Sequence, residues 1–201
     1  MKRMTHSRGA SGESGFTLTE MLVVMSLLSI VLGAAYMFIY AARAGQSNSD
    51  KEATLSRAVT LPLQSMERIL IQNSAIAPSP TPTGYKVTVL TDQDANDVLE
   101  QRTFEAVQDP ATGMGYIKLT TYLTDASGAR VGAALQDGYL ARDNANIADG
   151  VPLFLYYASD GTQITDPGAV SMQARSVVVQ IRAVVAGRSE THADKITFRN
   201  R

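Results

Sequence analysis

Between Met21 and Ala42 the chain reads MLVVMSLLSIVLGAAYMFIYAA, 22 residues without a charged side chain. Coiled as a helix, such a run reaches about 33 Å at ~1.5 Å per residue, which matches a hydrocarbon core of about 30 Å. A helix in a soluble core rarely stays apolar on every face for so long, so the run is expected to cross a membrane. Lys2, Arg3 and Arg8 precede it against a single Glu13, whereas only Arg43 follows closely, ahead of Asp50, Lys51 and Glu52. The excess of positive charge before the run puts the N-terminus in the cytoplasm. Everything after residue 43 is then expected on the periplasmic or extracellular side of a single-pass protein in the cytoplasmic membrane.

An ordinary secretory signal is the competing reading. Ala42-Arg43-Ala44 has the small-x-small form of a cleavage site. The apolar run nevertheless exceeds the usual signal core of about 7–15 residues, and an arginine inside the cleavage site fits poorly.

The rest of the composition narrows the chemistry. At 201 residues the chain suffices for one domain plus an anchor. Its net charge of −1 supplies no general basic field, so nucleic acid is not an expected partner. Without cysteine there are no disulfides, thiol nucleophiles or cysteine-held metals. The two histidines, His6 and His192, stand at opposite ends of the sequence, which argues against a histidine triad or multi-histidine metal site. No phosphate-binding glycine loop, nucleophile elbow or HExxH motif is present. Neither an enzyme nor a cofactor is expected.

Glu20 stands at the mouth of the apolar run. At a bilayer centre a carboxylate costs about 2.5–3.5 kcal/mol, and less near the interface. Glu20 is therefore either a simple boundary marker in water or a charge that awaits a partner. The string Gly15-Phe16-Thr17-Leu18-Thr19-Glu20, placed between a short basic leader and about 20 apolar residues, resembles the type III signal sequence of type IV prepilins over residues 9 to 42. The resemblance implies that prepilin peptidase cuts between Gly15 and Phe16 and methylates the new amine of Phe16. Glycine suits the cut because it lets a protease approach the backbone. In family terms, Glu20 then pairs with the N-terminal ammonium of a neighbouring subunit's Phe16 and sets axial register. The implied partners are the peptidase, other pilins or pseudopilins, the membrane assembly machinery and, before assembly, the lipid bilayer. Many major pilins carry a proline within this helix. Here the run has none, and Gly33 is its one weak point.

Beyond the membrane, Leu55, Val59, Leu63, Met66, Leu70 and Asn73 recur at spacings of three and four, with Glu52, Arg57, Gln64, Glu67, Arg68 and Gln72 mainly elsewhere on the wheel. This predicts one long helix from Phe16 to about Ala77. Gly45-Gln46-Ser47-Asn48-Ser49 is a weak stretch that could bend or melt it, and Pro62 predicts a kink. The Pro78–Gly84 segment ends it and reads as a loop or extended spacer. The period then changes to two. Strands are predicted around Tyr85–Val89, Val98–Val107, Tyr116–Leu123, Leu153–Ala158, Val177–Val185 and Ile196–Phe198.

The expected fold is α+β: a transmembrane helix whose amphipathic C-terminal half packs on an antiparallel β-sheet head, the pilin lollipop. Its parts are a leader (1–15), a membrane and filament-core helix (16–42), a helical extension (43–77) and a β-rich head (78–201). The order of elements and the Ile196–Asn200 ending faintly resemble the larger minor pseudopilins of the J type.

The head offers three polar features. Asp92–Glu100 is acidic but has Asp97 and Thr103 where a calcium loop of the EF-hand kind needs Gly and Glu, so a solvated turn is the better reading. Asp137, Asp143, Asn144, Asn146 and Asp149 have the composition of a surface loop. Tyr139, Tyr156, Tyr157 and Arg142 could stack on single-stranded DNA, although Tyr156 and Tyr157 more simply split between two faces of a strand. The sequence thus points to a minor pilin or pseudopilin of a type IV pilus or type II secretion pseudopilus. A tip subunit that binds a surface or DNA, as in competence, is the alternative; a membrane-anchored or secreted enzyme is the third.

Overall fold

The computed structural model describes residues 16–91, 99–125 and 128–198. The leader, Gly15, His6, the acidic residues Asp92–Val98 and Asn200 lie outside the described residues. The chain divides into two compact units, residues 1–48 and 49–201.

In the first unit, the start of helix α1 (Leu18–Ile71) leaves its apolar side chains exposed on all sides, from Leu18 through Leu28 and Val31 to Phe38. The helix runs through Gly45–Ser49 without a break, although the stretch could have bent or melted it. A weak stretch flanked by helix needs only propagation, which costs far less than a fresh nucleus. The expected kink at Pro62 is likewise no break: the ring lies within the helix and is buried. Only the Ala58 carbonyl loses a donor there.

In the second unit, Leu55, Val59, Pro62, Leu63, Met66 and Leu70 form the buried stripe of α1. Full burial of side chains of this size contributes about 1.5–3 kcal/mol each relative to exposure. The helix stops at Ile71, short of the expected Ala77. Residues Asn73–Ile76 form strand β1 instead and pair with β2 (Lys86–Thr91), so ladder hydrogen bonds override the helical period that placed Asn73 on the stripe.

The head strands divide into two antiparallel sheets, where a single sheet was expected. The first has the order β1-β2-β3-β4-β5, with β3 Glu100–Gln108, β4 Gly115–Thr124 and β5 Arg130–Arg142. The second has the order β7-β6-β8-β9, with β6 Phe154–Tyr157, β7 Gln163–Ile164, β8 Ser176–Val185 and β9 Arg188–Thr197. A short helix α2 (Pro167–Gln173) precedes β8, capped by the Asp166 side chain on the Gly168 N–H. The helix stripe, Val87, Phe104 and Ile117 of the first sheet, and Phe154, Val177 and Ile181 of the second share one core. One apolar mass thus serves the helix and both sheets.

The Pro78–Gly84 segment is tied to the head, where a free spacer was one reading. Gln101 donates to the Ser79 carbonyl at 3.1 Å, and the buried Tyr156 hydroxyl donates to that of Thr83 at 3.0 Å. At the β8–β9 turn Arg188 reaches Glu52 of α1 at 2.9 Å.

The stretch from Asp137 to Asp149, expected as a surface loop, departs most from its composition. Asp137 belongs to β5, and Asn144 and Asn146 are buried. Asn144 pairs with Ala183 of β8 in an isolated bridge, and Ala145 N–H donates to Arg182 O at 2.7 Å, so this segment links the two sheets. Asn144 N–H also donates to Gly115 O at 3.0 Å. Any Cβ at position 115 would run into the Asn144 carbonyl oxygen. Gly115→Ala should therefore cost about 1–3 kcal/mol as an overpacked site, read from the denaturation midpoint. An unchanged midpoint would mean that the segment moves aside freely.

Candidate functional site

The candidate site is the start of α1. Thr17 precedes the helix, and its carbonyl accepts the Met21 N–H at 3.2 Å, the first turn's hydrogen bond. Its Oγ1 accepts the Glu20 N–H at 3.3 Å, and Glu20 Oε2 accepts the Thr17 N–H at 3.4 Å. Thr17 Oγ1–H also reaches Oε2 at 3.4 Å. This is a reciprocal capping box, T-x-x-E, in which two of the free N–H groups of the helix start find acceptors. Glu20 therefore stands in the first turn, where the helix dipole favours negative charge. The sequence reading took Glu20 as a boundary marker or a waiting charge and missed Thr17. The signal was available in Thr17-Leu18-Thr19-Glu20 ahead of an apolar run.

Phe16, the residue before the cap, is exposed. Gly15, on the other side of the expected cut, is outside the described residues. Polar groups inside the apolar run turn inward on the backbone: Ser26 Oγ donates to Val23 O at 2.8 Å and Ser29 Oγ to Met25 O at 2.5 Å. Such local bonds keep hydroxyls satisfied where no water is present. Tyr36 and Tyr40, four residues apart and both exposed, sit toward the end of the run, where aromatic side chains suit a lipid–water boundary. By length and composition α1 can cross a membrane, and its apolar window is not buried within the protein.

The other sequence candidates are scattered over the head. Glu100, at the end of the acidic stretch, pairs with Arg102 at 2.7 Å. Tyr156 is buried in β6, where loss of water pushes its phenol well above the usual range, and Tyr157 beside it is half-buried, so the pair splits between two faces. Tyr139 stays exposed and contacts Tyr116, and Arg142 stands opposite Tyr116 on the neighbouring strand. The four residues considered for DNA stacking thus fall on two different sheets. His192 lies on β9, 2.5 Å from Glu190. Among the described residues no three His, Cys, Asp or Glu side chains gather as a metal-holding group.

Residues 10–36 match the family model of the prokaryotic N-terminal methylation motif. Neither the comparison with curated proteins nor that with solved structures gives a match. The matched span holds Gly15, Phe16, the capping box and most of the apolar run. Joined to a long apolar helix and an antiparallel β head, this prepilin-type signal supports a type IV pilin-like protein with a membrane anchor of one N-terminal helix.

Proposed function

We propose that the protein is a minor pilin or pseudopilin, trimmed by prepilin peptidase between Gly15 and Phe16, methylated on Phe16, and drawn from the cytoplasmic membrane into a filament or its priming tip. The observation that carries this reading is the methylation motif over residues 10–36, which ends in a helix exposed and apolar on every side. A helix of that kind suits two surroundings, lipid and a bundle of like helices.

Within the reading each residue has a task. Gly15 admits the protease, Phe16 supplies the amine, and Glu20 sets register by meeting the amine of an adjacent subunit. The N-terminus is cytoplasmic and the head lies across the membrane. The absence of proline within Met21–Ala42 fits a minor subunit or pseudopilin. A structural subunit, not an enzyme, is the role that the motif supports.

N-terminal analysis of the mature protein, made with and without prepilin peptidase, tests this. The expected product begins at methylated Phe16 and disappears without the enzyme. A product that begins at Gly45 would indicate signal peptidase and a secreted head. A chain that keeps its first fifteen residues in its native host would also end the filament reading.

A further inference from the structure

The face of the first sheet turned away from the core carries an unusual set of side chains. Along β4, Tyr116, Lys118, Thr120 and Tyr122 alternate with the core-facing Ile117, Leu119 and Thr121. On the strands beside them Lys86 pairs with Glu105 at 3.1 Å and Lys118 with Asp137 at 2.9 Å. Arg130 donates to Gln101 and to Thr103 Oγ1, and its guanidinium lies 4.4 Å over the Tyr122 ring. At the other end Tyr139, 60 % exposed, meets Tyr116 with ring centres 4.9 Å apart, beside Arg142. Of two shallow hollows, of about 190 and 390 Å³, the first is lined by Lys118 and the second by Tyr139, its partner on the neighbouring strand. From Tyr116 to Tyr122 the strand covers about 20 Å, enough for several sugar rings.

We propose that this face is a binding site for a linear glycan. The choice of ligand rests on how the charges are arranged. A nucleic-acid groove needs cations free to meet phosphates. Here Lys86 and Lys118 are each held by a carboxylate and Arg130 is spent on Gln101, Thr103 and Tyr122, which leaves Arg142 alone of these four cations to meet a phosphate. A sugar asks for something else: an aromatic surface for its C–H face, and neighbouring donors and acceptors for hydroxyls that do both. Tyr139 supplies the surface. Asp137 takes Thr120 and Lys118 on Oδ1, and Glu105 takes Lys86 on Oε1, so a second oxygen of each carboxylate remains to accept a hydroxyl. Lys118, its ammonium stabilised by Asp137 and its pKa raised accordingly, remains a donor throughout the physiological range. The site needs no filament, so it stands or falls apart from the assembly reading.

Calorimetry on the full chain, held in a detergent without a sugar headgroup, tests it with cellohexaose and chitohexaose. Saturable binding is expected for one of them, weakened about tenfold by Tyr139→Ala and by Asp137→Asn, with the thermal midpoint unchanged. Tyr139 is exposed, so its loss should not unfold the head. If neither oligosaccharide bound, or if both variants bound like the parent, the proposal would be wrong. A thymidine oligonucleotide that bound in their place would also overturn it.

Discussion

Under the proposed assembly role, Glu20→Gln should leave the chain trimmed at Phe16 and seated in the membrane but keep it out of filaments. Glutamine can serve at the third helical position of a capping box, so the Thr17 cap persists and the helix start keeps its geometry. What the variant loses is charge. In a bundle of apolar helices, removal of one member of a buried ion pair costs about 3–5 kcal/mol, because the other charge is left without a partner. At ~1.4 kcal/mol per tenfold, the ratio of filament-borne to membrane-borne copies should fall roughly 100- to 4,000-fold. Glu20→Ala removes the charge together with the carboxylate half of the capping box, the acceptor of the Thr17 N–H, and should fall at least as far. The two variants therefore separate register from capping. Shearing filaments from cells and counting the subunit in each fraction is the measurement. If Glu20→Gln entered filaments like the parent, charge pairing would be excluded, and a defect confined to Glu20→Ala would leave the cap as the reason for the glutamate.

In the head, the largest effect of a single polar change is expected at Asn146. The side chain is fully buried. Its Nδ2 donates to Val151 O at 3.1 Å and Gln180 O at 2.8 Å, while Oδ1 accepts the Arg182 N–H at 2.9 Å and Asn144 Nδ2–H at 2.6 Å. One amide thus pins the segment between the sheets to two successive outward turns of the β8 backbone. Asn146→Leu keeps the bulk and strands three backbone groups, each worth about 1–3 kcal/mol when left unsatisfied. Some relief by rearrangement is normal, so the expected loss is roughly 3–5 kcal/mol, at the upper end for point changes. Chemical denaturation of the full chain in detergent measures it. A loss below about 1 kcal/mol would mean that the segment is held by its neighbours instead.

Asn146 also shows why parts of the head could not be read ahead of the structure. Its surroundings, Asp143, Asn144, Asp149 and Gly150, have a loop's composition, and a loop it is. Burial came from a tertiary event, the approach of β8, which leaves no periodic trace in the local sequence. The same holds for β5: all but Leu140, Gly138 and Ala141 are exposed, Gly132 has a positive φ, and its pairing with β4 shifts register twice. A strand exposed on both sides does not alternate. Strand β9 was recognised only at its Ile196–Phe198 end, because Arg188 to Lys195 is polar but for Ala193. By contrast, β2, β3, β4 and β8 each turn alternate apolar side chains to the core, and the α1 stripe buries one face, so their periods were legible. At the N-terminus the motif was legible from residue types alone. The role of Thr17 needed only the recognition that T-x-x-E caps a helix.

An apolar rod with satisfied serines has a further consequence for energetics. Moved from hydrocarbon into contact with its own kind, the surface from Leu18 to Tyr40 changes one oily neighbour for another, so hydration gives almost no preference. The balance between the two homes must then be struck by close fit at the narrow places, Gly33, Ala34 and Ala35, where backbones can draw near, and by external work. In the proposed filament role, such a rod would pass between lipid and bundle with little dissipation, the bias being supplied from outside the helix.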